Sequence, residues 1–330
     1  MSNETKVEVD DVASYIKYIN ELSPTIDGDA RTIESTFVFR GQGSTKFDLV
    51  PSIGRDSLWR KPGCDAISPI IGTLKHEADI IETACRILPN VFKRDLLPID
   101  LLACLQHYGV PTRLLDVTSN ALAALYFACG NLDDVGEVFI FRRPGGDKQE
   151  YPICQAIADS WHLFMNSKVL SDFASLAISR PYFDYQRDLV LSNCPEPTDQ
   201  AKWFKECCED TLFVYGTRYL DRQAAQSGQY ILFPNDIRGE DPYLSFEEFI
   251  SPLPKDSPVI AGRCIVPSER KKSLLIELGN LGVTESTLFP DSIEKICAGM
   301  VSEFKKIDIG DAKRSGIRNM PPASDYRDAS

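Results

Sequence analysis

LLACLQHYGVPTRLLDVTSNALAALYFACG, Leu101 to Gly130, sets a histidine, an arginine, an aspartate and a threonine among residues that otherwise read as buried core. Ile99 to His107 and Leu122 to Cys129 read as helices. Gly109 can take the left-handed conformation that stops the first, and Val110 before Pro111 is biased to extended geometry, so the chain turns sharply there. Thr118 or Ser119 is the expected N-cap of the second helix and Gly130 its C-terminal stop. Thr112 to Thr118 is then the lead-in between them. Each buried polar group needs a partner, and an unpaired charge costs several kcal/mol, so four of them together point to a site. Arg113, just ahead of a helix start with free backbone N–H groups, suits an anion such as a pyrophosphate. The structural alternative pairs Asp116 with Arg113 and sets His107 on a backbone carbonyl; both readings stand at this point.

Upstream, STFVFRGQGSTKFDLVPSIGR reads as a strand from Thr36 to Arg40 running into a loop broken by Gly41 and Gly43. Arg40 at the end of an apolar strand, with Gly41 baring the backbone and Gln42 beyond it, forms a candidate anion clamp. Downstream, TRYLDRQAAQSGQYILFP, 217–234, sets Arg222 and Gln226 before a glycine and a strand. Further strands are expected over 136–143, 230–233 and 259–266. Further helices are expected over 9–22, 69–94, 154–166, 199–208, 268–279 and 291–305, with LVLSNCPEPTD as turn material. The fold class that follows is α+β, a mixed or antiparallel central sheet flanked by helices. The expected organisation is a lead-in helix within 1–34, one domain over 35–305 with an elaborated middle at about 144–215, and a tail over 306–330 whose composition reads as disordered.

At 330 residues and 43% hydrophobic, the chain can bury a substantial core. It has no uncharged apolar run of the roughly 18 residues that a membrane span needs, and its start, MSNETKVEVDDVASYI, is acidic, so a cytoplasmic protein with no membrane partner is expected. A net charge of −12 argues against a surface that grips nucleic acid non-specifically, while leaving room for a local basic cleft. The ten cysteines form no Cys-x-x-Cys pair, and the three histidines show no paired spacing. Reduced thiols and no metal site are therefore expected.

The three polar places, in this order, resemble the FRG-domain family, whose pattern opens with the Phe-Arg-Gly found at Phe39 to Gly41. Leu49-Val50-Pro51-Ser52 and Arg55 match its next motif, and Gln106 to Asp116 matches its central Gln-His-Tyr-Gly-x-Pro-Thr-Arg-Leu-Leu-Asp without a gap. Thr118, Asn120, Ala124 to Ala128, then Gln226, Gly228 and Tyr230, and finally Leu278, Gly282 and Leu288 to Asp291 continue the match. Val117 departs from it, standing where the family usually carries an aromatic. The order of motifs is also similar to ADP-ribosyltransferase folds, which split NAD at the nicotinamide bond. That resemblance implies an ADP-ribosyltransferase-like core that uses NAD as substrate, without metal, and modifies a macromolecular acceptor, nucleic acid or protein, as a bacterial or phage defence or toxin effector. It implies catalytic roles for Arg40, His107, Asp116 and Gln226, and NAD contacts from Arg40, Gly41, Gln42, Tyr108, Thr112, Arg113 and Thr118, with Arg222 facing the acceptor. An Arg40, His107, Arg113 and Arg222 set would instead look like the RNA 2′-phosphotransferase relatives of that fold. The late motif has Gln226 where a transferase carboxylate is expected. The rival expectation is therefore a module that binds a nucleotide or phosphate ligand without turning it over, or a protein-interaction partner whose polar motif is structural.

Overall fold

The computed structural model describes residues 6–22, 37–55, 73–142, 151–163, 168–216, 224–247 and 249–290. Its centre is a sheet of seven strands: β1 (Lys6–Glu8), β2 (Phe37–Gln42), β3 (Leu114–Thr118), β4 (Gly136–Arg142), β5 (Leu212–Val214), β6 (Gly228–Leu232) and β9 (Ile260–Val266). They lie in the order β1-β9-β4-β2-β3-β6-β5. Every pairing is antiparallel except that of β1 with β9, so the sheet is mixed. A separate two-stranded ribbon joins β7 (Ile237–Arg238) to β8 (Ser245–Phe246).

The helices are α1 (Val12–Leu22), α2 (Thr73–Ile87), α3 (Pro98–His107), α4 (Ala121–Ala128), α5 (Tyr151–Ala158), α6 (Ser160–Leu163) and α7 (Leu170–Ile178). Next come α8 (Arg187–Asn193), α9 (Pro197–Glu209), α10 (Lys271–Asn280) and α11 (Glu285–Leu288). Side chains alternate across a strand, and β2 and β4 are apolar on both faces because both are covered. On one face Phe37, Phe39, Val138 and Ile140 pack with α1, α4 and α10. On that same face of the neighbouring strands, Leu114, Tyr230 and Leu232 pack instead with residues of α2, α3 and α5 to α9. The opposite face, with Val38, Leu115, Val117, Phe139 and Ile231, is covered by the segments carrying Leu49, Ile53 and Ile250. The helical layer thus changes from one cluster to the other between β2 and β3.

Several elements differ from the sequence reading. Thr112 to Thr118 is not only a lead-in: Leu114–Thr118 is a strand between β2 and β6. Its polar residues alternate with Leu115 and Val117, which are buried in the core of the opposite face. The N-cap of α4 is Asn120, whose side chain accepts from the N–H groups of Leu122 and Ala123. LVLSNCPEPTD holds the end of α8 and the start of α9, with the turn confined to the residues between them. The helix expected over 154–166 starts at Tyr151 and breaks at Asp159 into α5 and α6. Strands β1 and β5 and helix α7 were not anticipated. The helix expected over 291–305, the tail and Thr36 lie outside the described residues. Among the described residues, no helix is long and apolar enough to cross a membrane.

Gly41 and Gly136 explain how α4 sits on the sheet. A Cβ at Gly41 would overlap the carbonyl oxygen of Ala124, and one at Gly136 the carbonyl oxygen of Ala128. The alanine-rich helix ALAALYFA therefore lies close enough to β2 and β4 that only glycine fits beneath it.

Candidate functional site

β2 is registered with β4 along its whole length, yet it pairs with β3 only at Phe39 and Thr118. At this split, a cavity of about 430 Å³ opens. β2 contributes Arg40, Gly41 and Gln42, β3 contributes Asp116 and Thr118, and the end of α3 contributes Gln106 and His107. Arg55, Gln226, Tyr230, Phe47 and Phe127 also line the cavity, as do Phe39, Gly43, Val117 and Gly228. Residues from both faces of β2 and β3 line it, as expected of an opening that passes through the sheet at a split.

Arg40 bridges the split, its Nη1 donating to the backbone carbonyl of Asp116 at 2.6 Å. Burial lowers its pKa to about 10, with Asp116 opposing and the neighbouring Arg55 adding to the shift, so it stays a cation at neutral pH. Its Nε meets no hydrogen-bond partner among the described residues. Gln42 is 5% exposed; its Nε2 donates to the Asp48 carbonyl at 3.3 Å, while its Oε1 has no partner among the described residues.

Asp116 is held by a chain of hydrogen bonds that starts in the turn. The Leu114 N–H donates to the Thr112 hydroxyl oxygen at 3.2 Å, and that hydroxyl donates to Gln106 Oε1. Gln106 Nε2 then donates to the Asp116 carboxylate at 2.8 Å. Thr112 is fully buried, outside the cavity lining, and its N–H donates to the Ser52 hydroxyl at 3.1 Å. The arrangement fixes one carboxylate oxygen and the rotamer of Asp116 from behind.

Arg113, which the sequence set against an anion, lies outside the cavity lining and is fully buried. Its guanidinium forms an ion pair with the equally buried Glu77 of α2 and donates to the Phe233 carbonyl and to Asn235 Oδ1, each at 3.1 Å. The alternative pairing of Arg113 with Asp116 is likewise not formed. The N–H groups at the start of α4 that were to share the anion are taken by the Asn120 side chain. Thr118 donates its hydroxyl to the Gln226 carbonyl and accepts from the Asn120 N–H at 2.9 Å, tying the loop before β6 to β3.

His107, the last residue of α3, faces the cavity with its ring 4.9 Å from that of Tyr108. Tyr108 points outward, 57% exposed, and rests edge-on against Phe92 rather than lining the wall. Gln226 lines the cavity, but its side-chain Nε2 donates to the Leu288 carbonyl at 3.0 Å. Arg222 lies outside the described residues. Lys271 of α10 holds the loop after β2, donating to the Gly43 carbonyl at 2.9 Å and to the Asn131 carbonyl.

Arg40, His107, Asp116 and Gln226 are therefore brought to one cavity, with Gly41, Gln42 and Thr118, while Tyr108, Thr112 and Arg113 are not. The sequence reading gave no role to Arg55, Gln106, Phe47 or Phe127, which also line it. Arg55, Gln106 and Phe127 carried a signal, since all three stand inside the quoted motifs; Phe47 carried none. Val117, where the family pattern usually has an aromatic, is buried against the core of the opposite face. Two guanidinium groups face the cavity against one carboxylate, so a chain of net charge −12 keeps a locally cationic pocket. Among the described residues, no cluster of histidine, cysteine and carboxylate side chains could hold a metal ion.

No curated protein matches the chain, and no solved structure does. A family model described as the FRG domain matches residues 35–136, which carry Arg40, Arg55, His107 and Asp116. The Phe39-Arg40-Gly41 strand and the whole Gln106-to-Asp116 motif lie inside that match, so this part of the chain is similar to the FRG domain.

Proposed function

We propose that the cavity binds a phosphorylated nucleotide of the NAD class, and that the protein transfers ADP-ribose from NAD to a macromolecular acceptor, nucleic acid or protein. The observation that carries this reading is the meeting of Arg40, Arg55, His107 and Asp116 in one cationic cavity. NAD, when bound, supplies a glycosidic bond whose cleavage releases nicotinamide and leaves positive charge on the ribose. The exposed Arg55 suits the diphosphate, and the rings of Phe47 and Phe127 offer faces for a base. Asp116, fixed by Gln106, can turn its other carboxylate oxygen toward the developing positive charge. The His107 imidazole can take the proton that the acceptor hydroxyl or amine loses.

One observation favours a second reading, a module that holds the nucleotide without turnover. Asp116 is the one carboxylate among the described lining residues, and Gln226 has its amide nitrogen tied to Leu288. Purified protein incubated with adenylate-labelled NAD and panels of RNA, DNA and proteins separates the two. Nicotinamide release with labelled acceptor supports the transferase. Thermal stabilisation by NAD with no product supports the binding module. Neither product nor stabilisation overturns both.

A further inference from the structure

The cationic wall of the cavity is not uniform. Arg55 is exposed, whereas Gln42 is almost completely buried and the buried Arg40 Nε belongs to the same face of β2. Residues two apart on a strand lie roughly 7 Å from each other, within reach of a single small group. We propose that this inner end is a subsite for a neutral group that carries a hydrogen-bond acceptor beside a donor, and that phosphate sits instead at Arg55. The proposal rests on the nucleotide reading above and deepens it.

The argument is one of donor and acceptor matching. Nε of Arg40 can only donate, so the ligand must offer it an acceptor. The Gln42 amide is oriented by its Nε2 bond to the Asp48 carbonyl; turned over, it would set oxygen against oxygen. Its Oε1 is therefore left as an acceptor in a residue of the cavity wall, and requires an N–H or O–H. A phosphate diester accepts only. Placed here it would satisfy Arg40 and leave the Gln42 oxygen buried against an anion, an unmet acceptor with its full desolvation penalty. A ribose hydroxyl both donates and accepts, and a primary carboxamide accepts through oxygen and donates through nitrogen. Both meet the pair, and either is carried by a nucleotide of the NAD class.

Calorimetric titration of the full chain with ADP-ribose, nicotinamide and pyrophosphate tests this, using wild type, Gln42→Met and Arg55→Gln. Gln42→Met should weaken ADP-ribose or nicotinamide by about tenfold, the worth of one net hydrogen bond, and leave pyrophosphate within about twofold. Arg55→Gln should weaken pyrophosphate. A loss on ADP-ribose assigns the subsite to hydroxyls, and a loss on nicotinamide assigns it to the carboxamide. Wild type alone gives a second measurement that needs no folded variant. It should prefer nicotinamide to nicotinate, or ADP-ribose to its dideoxyribosyl counterpart, by about tenfold. No such preference, or an equal loss of pyrophosphate in Gln42→Met, overturns the subsite while the nucleotide reading stands. Failure of wild type to bind any of the three probes overturns the nucleotide reading, and the subsite with it.

Discussion

Replacing Glu77 with alanine would strand the Arg113 guanidinium in the core. Both side chains are fully buried, and Nε of Arg113 reaches the two carboxylate oxygens at 2.9 and 3.2 Å while Nη2 closes the pair. In Glu77→Ala the cation keeps only two neutral acceptors, the Phe233 carbonyl and Asn235 Oδ1. Removing one member of a buried ion pair costs about 3–5 kcal/mol, because the remaining charge has lost both water and partner. The double variant Glu77→Leu/Arg113→Met carries no buried charge and should recover more than half of that loss. Equilibrium urea unfolding of the full chain, followed by circular dichroism, reads both changes. At a temperature where Glu77→Ala is folded, nucleotide affinity should stay within about twofold of wild type, since neither residue lines the cavity. A destabilisation below about 1 kcal/mol, the scale of an exposed pair, would refute the structural role. So would a tenfold loss of affinity at unchanged stability, which would return Arg113 to the ligand.

Gly41→Ala should prevent folding or lose several kcal/mol in thermal melts, because its Cβ would overlap the backbone of α4. Gly279→Ala, with open space around the new methyl inside α10, should be neutral or stabilise by about 1 kcal/mol. Gln106→Leu frees the Asp116 carboxylate without opening the core. It should lower the kcat of NAD turnover by roughly 10- to 100-fold while KM stays within about threefold, the split expected of a positioning residue. Burial pushes the Cys264 thiol up to about 12 and the Cys129 thiol up to about 11, the latter partly offset by Lys271, against an ordinary value of 9.0. A raised folded-state value means that the neutral thiols contribute stability fully below pH 9 and lose it as pH rises toward 11–12. Urea midpoints should fall between pH 8 and pH 10.5 in wild type and fall less in Cys264→Ala.

The strands most plainly legible in the sequence are those buried on both faces, FVF in β2 and VFIF in β4, while β9 was legible from its alternation. β3 was hidden by its polar residues: Asp116 and Thr118 take every second position, and polar groups ahead of a helix look like a cap. Strands β1 and β5 are three residues each, too short to show a period. In the site, the motif residues could be found but not sorted. Arg113 is buried because Glu77 lies 36 residues upstream on α2 and Asn235 lies 122 residues downstream, and neither distance is encoded near the arginine itself. Phe47 and Phe127 escaped for the opposite reason, since an aromatic beside a loop or in an apolar helix reads as core until the neighbouring strand is seen to diverge.

That divergence gives the three residues of Phe39-Arg40-Gly41 separate tasks. Phe39 makes the single pair that joins β2 to β3, and packs with α4 on its own face. Arg40, on the opposite face, reaches across the gap where the next ladder bond would lie and donates to the Asp116 carbonyl. Gly41 removes the side chain that would lift α4 from the strand, which keeps the helix, and with it Phe127, against the cavity. A continuous β2–β3 ladder would close the opening, and without Arg40 the Asp116 carbonyl would lose the bond that spans the gap. A guanidinium thus stands in for backbone pairing at the point where the cavity opens in the sheet. The same guanidinium keeps a buried Nε–H without a partner among the described residues, on the face of β2 that also carries Gln42.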